Sequence, residues 1–297
     1  MKILNALKYI WNSVPRYTKR CSLGWAVRLG RMPVNLVECI SLVVEQQEVW
    51  LKVRPGYEFL WNYKTENSLI TLPAKGTFEP VETSHVSSLV CEGNTVLDVG
   101  ANFGWFTTHM ADSVGVNGEV YSFEPIPETF NNLRSNIERN GFAGHVHLNN
   151  VAVGDRDGKE VLQIPIRMGA GAPFASLKKQ TWGKYREIPV KLVSLDNYIS
   201  KHSISKIDFL KCDVEGAEML VLKGLTDTLS KGSISKLMLE LNDSSLGKFG
   251  YSREDVLSLM QSYGYSAYVL DGDGQKVACA VVSDLTSENV FFEMSDR

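Results

Sequence analysis

A buried apolar strand that runs into glycines and straight on into a helix leaves few folds open. Here it reads Val96-Leu97-Asp98-Val99-Gly100-Ala101-Asn102-Phe103-Gly104-Trp105-Phe106-Thr107. In open α/β sheets the ligand site lies outside the carboxyl ends of the strands, where the strand order reverses. Gly100 and Gly104 let the backbone turn tightly and approach a ligand closely. The first amides of the helix that follows can then bind an anionic group.

The rest of the chain agrees with that fold. From residue 94 onward, apolar runs alternate with helical periodicity, which predicts a mostly parallel sheet covered by helices on both faces. Strands are expected at Thr95–Val99, Glu119–Phe123, His145–Val153, Ile207–Asp213, Lys236–Leu241, Ser266–Leu270 and Val290–Met294. Helices fit at Trp105–Asp112, Pro127–Asn140, Ala217–Leu229 and Ser252–Tyr263, the last with a Ser252/Asp255 capping arrangement. Val161–Ile166 and Ile188–Leu195 read as an inserted hairpin with a long loop at 167–187. Upstream, Val49–Val53, a Pro55-Gly56 turn and Tyr57–Trp61 read as short antiparallel strands. We therefore divide the chain into an N-terminal extension, 1–77, and an α/β domain, 78–297. At 297 residues, 44% hydrophobic and 22% charged, it has core enough for both.

Twenty residues beyond Gly104, Glu124 closes Tyr121-Ser122-Phe123-Glu124-Pro125. An acid at the tip of the second strand is placed to accept hydrogen bonds from both hydroxyls of a ribose. Glycine loop, helix and strand-terminal acid together imply a nucleoside-containing cofactor. A nicotinamide dehydrogenase, the competing class, shows G-x-G-x-x-G, whereas this loop is Gly-Ala-Asn-Phe-Gly. Asp98 would repel a pyrophosphate. It suits a cationic ligand such as the amino and sulfonium groups of S-adenosylmethionine. A third class, a non-catalytic binding module on the same fold, is disfavoured by the acids Asp98, Glu124, Asp213 and Glu215.

The segments DVGANFGWFT (98–107), Phe123-Glu124-Pro125, Asn150–Asp155, Val193–Tyr198 and IDFLKCDVEGAE (207–218) resemble, as an ordered set over about residues 78–243, the FkbM family of methyltransferases. The resemblance implies a class I, Rossmann-like fold, S-adenosylmethionine as cofactor, and methyl transfer to a hydroxyl of a sugar or a polyketide-like product. It implies that Asp98, Gly100, Ala101, Asn102, Gly104 and Thr107 surround the methionine part of the cofactor. Glu124 and Pro125 would hold the ribose, and Asn150 and Val151 would flank the adenine.

Lys211-Cys212-Asp213-Val214-Glu215-Gly216-Ala217-Glu218 gathers three carboxylates between a strand end and a helix start. Methyl transfer to an alcohol needs in-line geometry and a group that takes the hydroxyl proton. Asp213 and Glu215 are the candidates, with Lys211 either an ion-pair partner or a reach into the crevice. Glu240, Asn242 and Asp243 close the next strand; Asp213, Glu240 and Asn242 offer oxygens to Mg²⁺ or Mn²⁺. The alternative is that Glu215 and Glu218 merely favour a helix N-terminus. The five histidines have no metal-binding spacing; His145 and His147 alternate on one strand, and either His85 or His109 is a candidate base. Of Trp50, Trp61, Trp105 and Trp182, we expect at most one, Trp182, to stack on a sugar.

The net charge of −3 hides an asymmetry. Residues 1–37 carry seven Lys and Arg and no acid, leaving −10 for the remainder, which argues against nucleic acid as partner. Leu4, Leu7, Ile10, Trp11 and Val14 recur at helical spacing, so residues 1–20 either dock on the protein or lie on an anionic membrane surface. Five scattered cysteines without CxxC point to a reducing compartment, the cytoplasm. The expected acceptor is a carbohydrate or other small molecule, and a homo-oligomer is left open.

Overall fold

The computed structural model describes residues 40–45, 48–53, 55–60, 77–165 and 185–295. The basic segment 1–20, Trp61 and Trp182 lie outside them. The described residues fall into two compact units divided after Pro80. In the first, β1 (Ile40–Glu45), β2 (Glu48–Val53) and β3 (Glu58–Leu60) form an antiparallel meander. The Pro55-Gly56 turn sets the β2–β3 register, Leu51 opposite Phe59 and Lys52 opposite Glu58, and Gly56 takes φ 149° there.

The second unit opens one residue into α1 (Pro80–Leu89) and continues with β4 (Thr95–Val99), α2 (Trp105–Val114), β5 (Glu119–Phe123), α3 (Pro127–Arg139) and β6 (Val146–Asn149). A side sheet follows, made of β7 (Ala152–Val153), β8 (Gly158–Pro165) and β9 (Tyr185–Val193). Then come α4 (Leu195–Lys201), β10 (Ile207–Cys212), α5 (Glu218–Lys223), α6 (Thr226–Ser230), β11 (Ile234–Glu240) and α7 (Asp243–Leu246). The chain closes with α8 (Arg253–Ser262), β12 (Tyr265–Leu270), β13 (Lys276–Cys279) and β14 (Asn289–Met294).

The main sheet runs β13-β12-β14-β11-β10-β4-β5-β6. Its central strands β11, β10, β4, β5 and β6 are parallel, while β14 runs against both its neighbours. From β4 the chain steps outward to β5 and β6, then returns to the other flank of β4 for β10 and β11. Right-handed crossovers in opposite directions put helices on opposite faces, and the strand order reverses between β4 and β10. Leu97, Val99, Leu210, Cys212, Leu237 and Leu239, from those central strands, are buried in one core.

Two expected elements are broken in two. The strand at 145–153 ends at Asn149, and Ala152–Val153 leaves the main sheet to pair with β9. His145 is consequently buried with Nε2 3.0 Å from the Ala111 carbonyl, while exposed His147 pairs with Glu119, so the two do not address one site. The helix at 217–229 is interrupted at Gly224, where a Cβ would stand 2.0 Å from the Gly154 carbonyl oxygen. Asp196 then caps the second piece, accepting from the amides of Asp227 and Thr228 at 2.9 and 3.0 Å. The hairpin arms and the Ser252/Asp255 capping box form as expected. Among the described residues no helix is long and apolar enough to cross a membrane.

Candidate active site

Strand ends β4 and β5 build the first half of the site. The loop from Val99 to Trp105 is tied back to β5 by Gly100 and Ala101, whose amides both donate to the Phe123 carbonyl at 3.0 Å. Both glycines are required by the protein's own packing. At Gly100, φ is 82° and a Cβ would lie 1.7 Å from the Asp213 carbonyl oxygen; at Gly104, φ is 91° and a Cβ would strike Leu133. Asn136, fully buried on α3, completes the brace by donating to the Phe103 carbonyl at 2.7 Å. Nothing in the local pattern marked Asn136, since it sits on what reads as a surface helix.

Glu124 is buried, and its two oxygens accept from different backbone amides, Oε2 from Asn102 at 3.1 Å and Oε1 from Ile126 at 2.9 Å. Burial pushes its carboxyl up to about 7 against those hydrogen bonds. Asn150 donates to the carbonyls of Glu124 and Pro125 at 2.8 and 3.1 Å, and Val151 packs on the core. Asp98 is 0% exposed, and burial raises it above the usual carboxylate range against the pull of Lys211. Its Oδ2 accepts from the Thr107 hydroxyl at 2.6 Å; its Oδ1 makes no hydrogen bond. Thr107, expected beside the cofactor, is fully buried and braces the loop from within: its hydroxyl lies between Asp98 and Ser122.

Strands β10 and β11 supply the second half. Lys211 is 3% exposed, stands opposite Asp98 in register, and donates to Asp213 Oδ2 at 3.1 Å with Asp98 Oδ1 4.0 Å away. Asp213 and Glu240 extend the neighbouring strands and share a hydrogen bond. That bond, with burial, pushes Glu240 up to about 10. Burial would raise Asp213, but Lys211 and the bond from Glu240 outweigh it and hold Asp213 low. The shared bond and Lys211 thus favour a proton on Glu240 over one on Asp213. Burial, then the Asp213 charge, pushes nearby Glu215 up to about 8.

The structure thus brings Lys211, Asp213, Glu215 and Glu240 together, while Asn242, expected beside Asp213 and Glu240 as an oxygen ligand, has its side chain in a helix cap. Asn242 caps α7: its Oδ1 accepts from the Ser245 amide at 3.0 Å and the Ser244 hydroxyl at 2.7 Å, and its Nδ2 donates to Glu288. Among the described residues, no group of three or more His, Cys, Asp or Glu is arranged to hold a metal ion. His85 Nε2 lies 2.9 Å from the Tyr268 hydroxyl, and His109 packs against Trp105. Trp105 itself is buried and donates to Thr83.

The model of the FkbM methyltransferase domain matches residues 98–267, more than half of the chain. The chain belongs to the FkbM methyltransferase family. It is accordingly an S-adenosylmethionine-dependent methyltransferase. It is 30% identical to the 31-O-demethyl-FK506 methyltransferase FkbM of Streptomyces tacrolimicus over 59% of this chain and 73% of that one. It is 30% identical to the hexuronic acid methyltransferase AglP of Haloferax volcanii over 57% of this chain and 62% of that one. A third relative, the 2-O-methyltransferase NoeI of Sinorhizobium fredii, is 25% identical over 68% of this chain and 89% of its own.

The first half of the site fits the family's cofactor. Asp98 Oδ1 is buried without a hydrogen-bond partner, its ion-pair partner Lys211 standing 4.0 Å away, and so has room for a donor. Glu124, a carboxylate with about four acceptor positions, spends two on the backbone and keeps others for hydroxyls.

Proposed function

We propose that the chain methylates a hydroxyl of a sugar in a glycan or glycolipid. The observation that carries this reading is the low-lying Asp213 carboxylate, held charged by Lys211 beside the strand-order reversal that also positions Asp98. S-adenosylmethionine, when bound, would supply an electrophilic methyl group; Asp98 would hold its cationic end, Glu124 its ribose, and Asn150 and Val151 its adenine. Asp213 accepts the acceptor's hydroxyl proton as the oxygen gains the methyl group. Glu240 already carries a proton and leaves that work to its neighbour, and Lys211 keeps Asp213 ionised until the proton arrives. Glu215, the second carboxylate at the turn, orients the hydroxyl.

The name of one relative, a hexuronic acid methyltransferase, supports the sugar, and that of another, the 31-O-demethyl-FK506 methyltransferase, supports the runner-up, a polyketide-like acceptor. The deciding assay incubates the protein with methyl-labelled S-adenosylmethionine and panels of saccharides, glycolipids and macrolide alcohols. A new methyl ether on a sugar is the expected product. Label appearing only in a macrolide would replace the sugar with the runner-up acceptor, and cofactor binding to NADH instead would remove the reaction class.

A further inference from the structure

The carboxylates at the end of β10 sit on a turn that is itself costly to hold. Glu215 has φ 57°, the left-handed region that side chains other than glycine, asparagine and aspartate rarely adopt. Such strain persists only where surroundings over-determine it. Two contacts do so here. On one side Gly216, at φ 103°, presses so closely on the Ser245 backbone that a Cβ would lie 2.3 Å from its carbonyl oxygen. Ser245 is in turn held by the Asn242 cap. On the other side stands Glu218. It is 1% exposed, and its Oε1 accepts from the amides of Val214 at 3.0 Å and Gly216 at 3.1 Å, the residues that bracket Glu215. Its Oε2 is buried without a hydrogen-bond partner.

We propose that Glu218 is a positioning residue for methyl transfer, a carboxylate clamp that fixes the Asp213–Gly216 turn and so aims Asp213 and Glu215 at the acceptor hydroxyl. This rests on the reading of those two acids given above. The sequence alone offers helix-dipole stabilisation as the reason for an acid at 218. Its carboxylate also takes its own amide, but a group that merely favoured a helix N-terminus would face solvent; this one is buried and holds two amides of the preceding turn as well.

The test uses the full-length protein in three variants. Glu218→Gln keeps the oxygen that accepts both amides but places an NH₂ where Oε2 has no partner. It should melt at a lower temperature while retaining turnover within about threefold. Glu218→Ala removes the clamp. It should lower kcat at least thirtyfold, leave the affinity for S-adenosylhomocysteine within twofold, and speed amide hydrogen exchange at Val214 and Gly216. Gly216→Ala, which forces the turn from the Ser245 side, should lower kcat in the same way and covers the case in which Glu218→Ala fails to fold. Retained turnover in Glu218→Ala or Gly216→Ala overturns the proposal. So does a Glu218→Gln variant as inactive as the alanine one, because then the charge and not the clamp matters. Exchange separates the two readings. If Asp213→Asn and Glu215→Gln keep full turnover while Glu218→Ala still deprotects both amides, the clamp stands as structure and the assignment of the acids falls.

Discussion

The two halves of the site treat their acids in opposite ways. At the ends of β4 and β5, polar groups are tied into the scaffold: both Glu124 oxygens hold backbone amides, Thr107 bridges Asp98 and Ser122, and Asn136 braces the loop. At the ends of β10 and β11, acids face acids. Asp213, Glu215 and Glu240 crowd around the buried Lys211, and one of them sits on a left-handed turn. The first arrangement suits binding an invariant ligand, where every lone pair left over has a fixed direction. The second stores electrostatic conflict, which is how sites push carboxyl groups to different proton affinities for proton transfer. On the roles proposed above, binding and chemistry are segregated on either side of the strand-order reversal.

If that segregation is right, Asp213→Asn gives the largest effect and confines it to turnover. The variant keeps size and polarity and loses the charge, so turnover should fall ~10²–10⁴-fold, the usual worth of a positioned base. S-adenosylmethionine affinity by calorimetry should stay within a few-fold. Comparable losses in both quantities would erase the division between halves. A chelator arm sharpens the result: with Asn242 committed to its cap, activity should survive EDTA. Loss with EDTA and recovery with Mg²⁺ or Mn²⁺ would instead make Asp213 and Glu240 metal ligands.

A pH experiment addresses the binding half on its own. Glu124 is raised by burial from 4.5 to about 7, so between those values the folded state holds a proton that the unfolded state has released. Stability from this group is therefore full below about pH 4.5 and is lost as pH rises through about 7. Glu124→Gln imitates the protonated form at every pH. Its unfolding free energy relative to wild type should rise by ~3 kcal/mol between pH 4.5 and 8, since each tenfold change in proton affinity is worth about 1.4 kcal/mol. Because the comparison is between variants, the opposing contribution of His109, lowered to about 4 by burial, cancels. A difference that does not change with pH would show that Glu124 is ionised throughout.

Removing the same side chain should weaken cofactor binding. Glu124→Ala is expected to cost ~1.5–3 kcal/mol in S-adenosylmethionine affinity, the value of hydrogen bonds to a charged acceptor, with kcat at saturating cofactor little changed. Normal affinity in a folded variant would move the ribose elsewhere.

Legibility in the sequence follows the same divide. The glycine loop, Glu124 and the parallel strands were readable because each rests on a local rule: an apolar run, a turn, a spacing along one chain segment. What the sequence concealed are contacts between distant segments. Gly100 is required by the Asp213 carbonyl and Gly224 by the Gly154 carbonyl, neither visible from its own neighbours. Asn136 reaches across 33 positions to the loop it supports. The antiparallel β14, inserted between β11 and β12, likewise looks from its sequence like any other apolar strand. In the acidic cluster residue types were legible and their roles were not, since whether Glu218 faces water or clamps a turn depends on the direction of one buried side chain.

Asn242 gives the smallest expected effect and the cleanest choice between two of those roles. A metal ligand and a helix cap both need a side-chain oxygen, so the sequence alone could assign either. As a cap, Asn242 satisfies the Ser245 amide of a four-residue helix, and loss of such a cap costs about 1 kcal/mol. Asn242→Ala should therefore lower unfolding free energy by roughly that amount. It should also reduce turnover modestly, because Ser245 supports Gly216 beneath the turn that carries Asp213 and Glu215. Asn242→Asp retains the capping oxygen and should restore both, but with a metal bound it would also raise affinity for Mg²⁺ by adding a charge. Thermal unfolding of the two variants with and without Mg²⁺ separates the cases. Equal stability of Asn242→Asp under both conditions keeps Asn242 in the scaffold, and a Mg²⁺-dependent gain would return it to the site.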